Sequence, residues 1–359
     1  MLGTFHVGAI RNNNYLIGIY QMDCARVVEV TLLPQNENLV CPDRCRFSMK
    51  HTVGMFGLVL SLIVLLQTGC NRTESAPAKP VVIASFYPLY DFARQLCGPN
   101  IEVVCLVPPG GDPHGMEATP AMAKQIADAD AVLLLGLGMD VWLDKLAQNS
   151  GRARRILLSE GIATRPFGKA ALAEFADAER RHEHEQVDPH IWLDPVRAGQ
   201  IVQRLSSELQ SLYPAHANKI AERADKLLAD LKQLDAEFAA VTAKLLRREV
   251  VTFHGAFGYL FDRYNLKAAG VIELFPGDQP SAAYLRALVN VIRKLGIQTI
   301  FAEPQLPDVP AQIIAREIGG NIERLDPCET ILPDAPEATY LERQRKNLET
   351  LRRVLGAQP

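Results

Sequence analysis

This 359-residue chain has little net charge, no low-complexity tract and no disulfide framework. Its formal charge is -3 at neutral pH, and basic residues such as Arg152, Arg154 and Arg155 stand among acids. With no basic stripe there is no electrostatic footprint for nucleic acid, and these arginines read as a solvated face. Several enzyme signatures are also missing: there is no His-Glu-x-x-His, no Gly-x-Ser-x-Gly and no phosphate loop. Of the cysteines, Cys41 and Cys45 lack two further ligands at zinc-like spacing. Cys97 and Cys105 could pair in an oxidising compartment, but with Cys328 they make only three thiols.

Charge is missing locally as well. No charged residue occurs from Thr52 to Gly69, and the apolar core of that run, Val53 to Leu66, is short for a membrane-spanning helix. It has the length of the apolar region of a signal peptide, with Met49-Lys50-His51 as a start and basic flank. Gln67-Thr68-Gly69-Cys70 follows, and a small residue before Cys resembles a bacterial lipoprotein processing site, although Gln67 stands where an aliphatic is usual. That resemblance implies lipid on Cys70 and a protein exported to the periplasm or cell surface and anchored to the membrane. Residues 1–48 then read as an upstream extension from a mis-assigned start, 49–70 as the signal peptide and 71–80 as a tether.

Beyond the tether, short apolar runs alternate with helical ones, which argues for parallel sheets covered on both faces. Strands are expected at Val81–Phe86, Ile101–Val107, Ala131–Leu135 and Arg155–Ser159, and again at Glu249–Phe253, Leu266–Ile272, Thr299–Ala302 and Ile322–Leu325. Asp194-Pro195 reads as an N-cap followed by Pro at the first helical position. Apolar residues at helical spacing from Ala215 to Arg248 predict one helix of about 30 residues, roughly 45 Å long at 1.5 Å per residue. The expected fold is α/β: two βα lobes (81–194 and 249–359) with mainly parallel four-stranded sheets, joined by a helical linker (195–248) with a long backbone helix. A ligand site belongs in the cleft between lobes, beyond the carboxyl ends of the strands.

Four ligand-type side chains fall in such places. His114 follows the second strand, His190 precedes a helix, His254 ends the fifth strand and Asp326 follows the eighth. Each alone is an ordinary loop His or a turn-forming Asp; as a set, two per lobe, they fit a closed metal site.

The surrounding motifs resemble the ZnuA/TroA-like solute-binding proteins of zinc and manganese ABC importers. The matching pieces are Pro113-His-Gly-Met-Glu-Ala-Thr-Pro120, Asp188-Pro-His-Ile-Trp-Leu-Asp-Pro195, Phe253-His-Gly-Ala-Phe-Gly-Tyr259, Phe301-Ala-Glu-Pro-Gln305 and Leu325-Asp-Pro327. Pro276-Gly-Asp-Gln-Pro-Ser281 resembles a further family loop. The resemblance implies His114, His190 and His254 as ligands, Asp326 as the fourth or close to it, and Glu303, with Glu117, as support. It also implies metal capture for a permease and its ATPase by a monomeric, non-enzymatic carrier. Three imidazoles with one carboxylate suit Zn²⁺; Mn²⁺ prefers more oxygen, and manganese-binding relatives typically carry Glu where His254 stands. Arg180-Arg-His-Glu-His-Glu-Gln186 puts His182 and His184 where zinc-binding relatives have a His-rich loop, here reduced to an auxiliary site or a plain charged loop. The alternatives are a manganese or iron carrier on the same scaffold, a metal-dependent hydrolase, for which no general base is indicated, and a surface adhesin.

Overall fold

The computed structural model describes residues 7–12, 15–20, 79–149, 151–167, 187–273, 277 and 280–356. Cys70, His182, His184, the signal-like segment and residues 276, 278 and 279 lie outside them. The chain divides into two compact units, Met1–Ser75 and Ala76–Pro359. In the first, where the sequence has no clear periodicity, β1 (Val7–Asn12) pairs antiparallel with β2 (Tyr15–Tyr20), Val7 opposite Tyr20.

The second unit holds two four-stranded parallel sheets. Its first lobe contains β3 (Val81–Ala84), α1 (Tyr87–Cys97), β4 (Glu102–Cys105), α2 (Pro120–Asp128), β5 (Ala131–Leu134), α3 (Val141–Gln148) and β6 (Arg154–Leu157). The strands lie in the order β4-β3-β5-β6. Two long helices follow, α4 (Pro195–Leu212) and α5 (Ala217–Thr242). The second lobe contains β7 (Glu249–His254), α6 (Gly258–Tyr264), β8 (Lys267–Glu273), α7 (Ala282–Leu295), β9 (Thr299–Ala302), α8 (Val309–Ile318), β10 (Asn321–Arg324) and α9 (Tyr340–Leu355). Its order, β10-β9-β7-β8, repeats that of the first sheet. In each sheet the chain turns one way from the first strand and later returns on its other side, which opens a crevice at the strands' carboxyl ends.

Local chemistry explains the elements. Asp194 caps α4, its Oδ1 accepting the Val196 N–H at 2.9 Å, with Pro195 in the first turn. Thr119 accepts from the Met122 N–H in the same way at the start of α2. Along α5, Ile220, Ala224, Leu227, Leu231, Leu234 and Phe238 recur at i+3/i+4 spacing and are buried. That stripe packs against α1 of one lobe and α9 of the other. Each large apolar side chain so buried contributes roughly 1.5–3 kcal/mol.

The helix is shorter than its sequence suggests, at 26 residues. The Leu246 and Arg247 N–H groups bond to the Gly356 and Leu355 carbonyls, so the chain joins the end of α9 instead of winding on. Arg248 closes the helix by donating Nη2 to the Thr242 carbonyl at 3.0 Å. Helix α3 has no counterpart among the expected elements. Cys97, Cys105 and Cys328 are all free thiols, so the Cys97–Cys105 pairing is not formed; the Cys105 Sγ contacts the Val107 carbonyl, two residues past the end of β4, at 3.4 Å.

Candidate metal centre

Strand β7 lies between β8 and β9 and delivers His254 at its carboxyl end, fully buried. Its neighbour β9 ends one residue before Glu303, also buried. The Glu303 carboxylate accepts the His254 backbone N–H at 3.1 Å and its Nδ1–H at 2.6 Å, which leaves the Nε2 lone pair facing the cleft. His190, in the turn before α4, is held the same way. Asp188 Oδ1 accepts its N–H at 3.0 Å and its Nδ1–H at 2.8 Å. His114 comes from the long loop after β4, where Asp112 accepts its backbone N–H at 2.9 Å, and its side chain keeps 18% exposure.

The fourth member is Glu329, in the loop after β10. Its Oε1 lies 3.4 Å from His114 Nε2, 3.3 Å from His190 Nε2 and 3.4 Å from His254 Nε2, and the last two nitrogens are 3.4 Å apart. All four donor atoms fall within 4.8 Å of one another. A tetrahedral ion with bonds of about 2.0–2.1 Å sets its donors about 3.3–3.4 Å apart, and the separations from Glu329 to each histidine and between His190 and His254 already match it. His114 and His190 belong to the first lobe, His254 and Glu329 to the second. The donor chemistry fits a cation: three imidazole lone pairs and a carboxylate converge, and only a proton or a metal can satisfy them together.

Charge in this pocket is tightly linked. Burial pushes the pKa of His190 down, but the Asp188 and Glu329 carboxylates outweigh it and leave it raised. Burial likewise opposes ionisation of His254, and Glu303 and Glu329 overcome it, raising its pKa well above 6.5. Burial pushes Glu329 up, yet His254, His114 and His190 hold it well below the usual carboxylate range. The metal-free cage is thus a place where protons stand in for a cation.

Asp326 is not part of it. Both its oxygens accept from Arg343 of α9, at 2.6 and 2.7 Å, and Oδ1 also takes the Cys328 N–H at 2.8 Å. A carboxylate committed to a buried guanidinium is not available to a second cation, and Glu329, three residues on, fills the place expected for Asp326. Glu117 is exposed and makes none of the hydrogen bonds to the histidines among the described residues. Asp188 and Gln305 are further participants without an assigned role in the sequence reading, although both lie inside its motifs. The only signal for Glu329 was an acid shortly after the last strand.

The family model for "zinc-uptake complex component A, periplasmic" matches residues 82–354. The chain belongs to this family. Among curated relatives, the zinc-binding lipoprotein AdcA of Streptococcus pneumoniae (strain ATCC BAA-255 / R6) is 29% identical over 301 residues, 83% of this chain and 60% of AdcA. The high-affinity zinc uptake system protein ZnuA of Bacillus subtilis (strain 168) is 27% identical over 311 residues, covering 84% of this chain and 97% of that protein. Among solved structures, the Zn(II)-bound ZnuA-like domain of S. pneumoniae AdcA matches with a TM-score of 0.66 and 27% identity, covering 77% of this chain and 99% of that domain. The chain thus spans about 60% of the length of the AdcA relatives, while matching ZnuA nearly end to end. The two-lobed α/β architecture is that of zinc-uptake family members.

Proposed function

We propose that this chain captures Zn²⁺ outside the cytoplasm and hands it to an ABC importer. The observation that carries the reading is the set of four donors: His114 and His190 from one lobe, His254 and Glu329 from the other, spaced for a tetrahedral ion. Zinc is the cargo, and the protein supplies preset donors. Asp188 and Glu303 keep two imidazoles in the tautomer that presents Nε2, and burial excludes water that would otherwise compete for the ion. Partly exposed His114 marks the entry side, so zinc meets it before the three buried donors.

Lobe movement is small in this scheme. The loop that carries Glu329 is already joined to the first lobe: the Trp192 Nε1–H donates to the Pro327 carbonyl at 2.8 Å, and Gly110 N–H to the Ile331 carbonyl at 2.9 Å. Release then follows when the importer draws His114 or His190 away from the second lobe, lowering the number of donors. Its partners are a permease and its ATPase, and it acts as a monomer anchored by lipid at Cys70. The family description as periplasmic and the lipoprotein relative support that placement. Among the described residues, no helix is long and apolar enough to cross a membrane.

Metal analysis and calorimetric titration of the purified protein test the proposal. One tightly bound Zn²⁺ per chain, displacing Mn²⁺ in competition, is expected. Preferential retention of manganese would move the reading to the manganese carrier, and no binding of either ion would end it.

A further inference from the structure

Glu329 presents its two oxygens to different partners. Oε1 is the atom that meets the three histidines. Oε2 accepts a hydrogen bond from Gln305 Nε2 at 3.1 Å, and the same nitrogen donates to Glu303 Oε2 at 3.0 Å. An amide nitrogen carries two hydrogens, so both bonds form together. The amide's orientation is dictated by this pair, because turning it over would set its oxygen against two carboxylates. Gln305 Oε1 has no hydrogen-bond partner among the described residues.

We propose that Gln305 is a specificity-determining residue that confines Glu329 to a single donor oxygen. The proposal rests on the zinc-capture reading above and deepens it. With Oε2 tied to the amide, the cage offers three nitrogens and one oxygen, the four-coordinate set that zinc takes in tetrahedral sites. With Oε2 free, the carboxylate can swing to chelate through both oxygens. The set then becomes five donors with two oxygens, closer to what Mn²⁺ prefers. The restraint is anchored firmly. Glu303, the other end of the amide's bridge, is fixed by His254 through its carboxylate, while its carbonyl accepts from Arg324 Nη1 at 2.7 Å. Gln305 therefore refers the position of a loop carboxylate to the end of strand β9, beside the central strand that carries His254.

Gln305→Met keeps the length of the side chain and removes both N–H donors; Gln305→Leu is a second non-donor variant should the first not fold. Cobalt(II) replaces zinc as a spectroscopic probe, since four-coordinate tetrahedral Co²⁺ absorbs strongly in the visible and five-coordinate Co²⁺ weakly. The wild-type protein is expected to show the strong bands and the variants the weak ones. The ratio of zinc to manganese affinity, measured by competition with a chromophoric chelator at fixed pH, should fall by about tenfold in the variants, the scale of one hydrogen bond to a charged group. Weak bands in the wild-type protein overturn the proposal without any variant. Unchanged variant spectra and ratio, or zinc and manganese affinities falling in equal proportion, overturn it while leaving zinc capture standing. Failure of the wild-type protein to bind zinc removes both.

Discussion

The two lobes have the same strand order but furnish the cage differently. In the second lobe, His254 is the last residue of a strand paired on both sides, and Glu303 follows the adjoining strand directly. In the first lobe, His114 and His190 both lie on loops, and His114 is the one donor with appreciable exposure. A strand end inherits its position from the sheet ladder, whereas a loop can shift at small cost. His254 is therefore a preset donor, whereas His114, His190 and Glu329 are held on loops, and partly exposed His114 is the donor freest to shift when metal enters or leaves.

The sharpest test of this contrast is to delete one histidine from each side. His254→Ala is expected to lower zinc affinity on the order of 1,000-fold, about 4 kcal/mol, because no water can take the place of a donor at a fully buried position. His114→Ala should cost about tenfold, since water can reach that corner of the cage. Calorimetry on both variants checks the order, and equal losses would remove the distinction between the two donors.

The supporting acids come next. Glu303→Gln keeps the side chain's size but gives up the charge that orients His254, and Asp188→Asn does the same for His190. Losses of about 10–100-fold in zinc affinity are expected, the usual scale for such outer partners. Glu303→Gln should lie toward the upper end, because both of its oxygens approach His254 Nδ1 at 2.6 Å. Chelator competition measures both variants directly.

How far the sequence disclosed these partners depends on what fixed each one. All eight strands of the two lobes were legible: inner strands such as Ala131–Leu134 are short buried apolar runs, and edge strands such as Asn321–Arg324, which are not, follow from the alternation with helices. Of the three histidines that the structure gathers, His254 ends such a run and His190 stands just before a capped helix, whereas His114 lies in a long loop and stands out only by its motif. The acid expected beside them was Asp326, and the structure gathers Glu329 instead, because sequence spacing does not reveal which of two nearby acids an arginine will take. Arg343 lies 17 residues from Asp326, on another element, and only the packing of α9 brings it there. Asp188 and Gln305 lie inside the motifs, but their roles are not legible there, because hydrogen bonds between Asp188 and the His190 ring and from Gln305 to Glu329 leave no periodicity to read. Helix α3 escaped because its eight residues carry only a short apolar pattern.

Acid sensitivity should divide along the same line. The raised pKa values of His190 and His254 mean that protons compete with zinc at pH values above the usual histidine range, about 6.5. Affinity is expected to rise with pH through that range and to level off only above it. In the metal-free protein the sign is opposite for the histidines. Their contribution to stability is full below about 6.5 and is lost as pH rises through the raised values. The contribution of Glu329 is present above about 4.3 and is lost as pH falls through its lowered value. Both are present between those limits, so the metal-free protein should melt highest there, while the gain in Tm on adding zinc grows toward higher pH. Glu303→Gln removes the main carboxylate acting on His254 and should shift the rise in affinity to lower pH. Melting curves with and without zinc across pH 4–9 check each sign.

The smallest expected effect on zinc is at Asp326, and there the interest lies in what changes instead. Its partner Arg343 has a side chain only 3% exposed, and besides Asp326 it donates to the Thr330 carbonyl at 2.7 Å and lies over the Tyr87 ring. Removing one partner of a buried ion pair leaves an uncompensated charge, at a cost of roughly 3–5 kcal/mol. Asp326→Ala should therefore lower Tm markedly while zinc affinity, measured below the new transition, changes by less than about threefold. Glu329→Ala should do the reverse: affinity falls steeply, and the metal-free fold is affected far less because the cage loses a charge whose partners can simply release protons. If Asp326→Ala lost zinc as severely as Glu329→Ala, the carboxylate bound to Arg343 would have to leave it for the metal, and the cage would be built from a different acid.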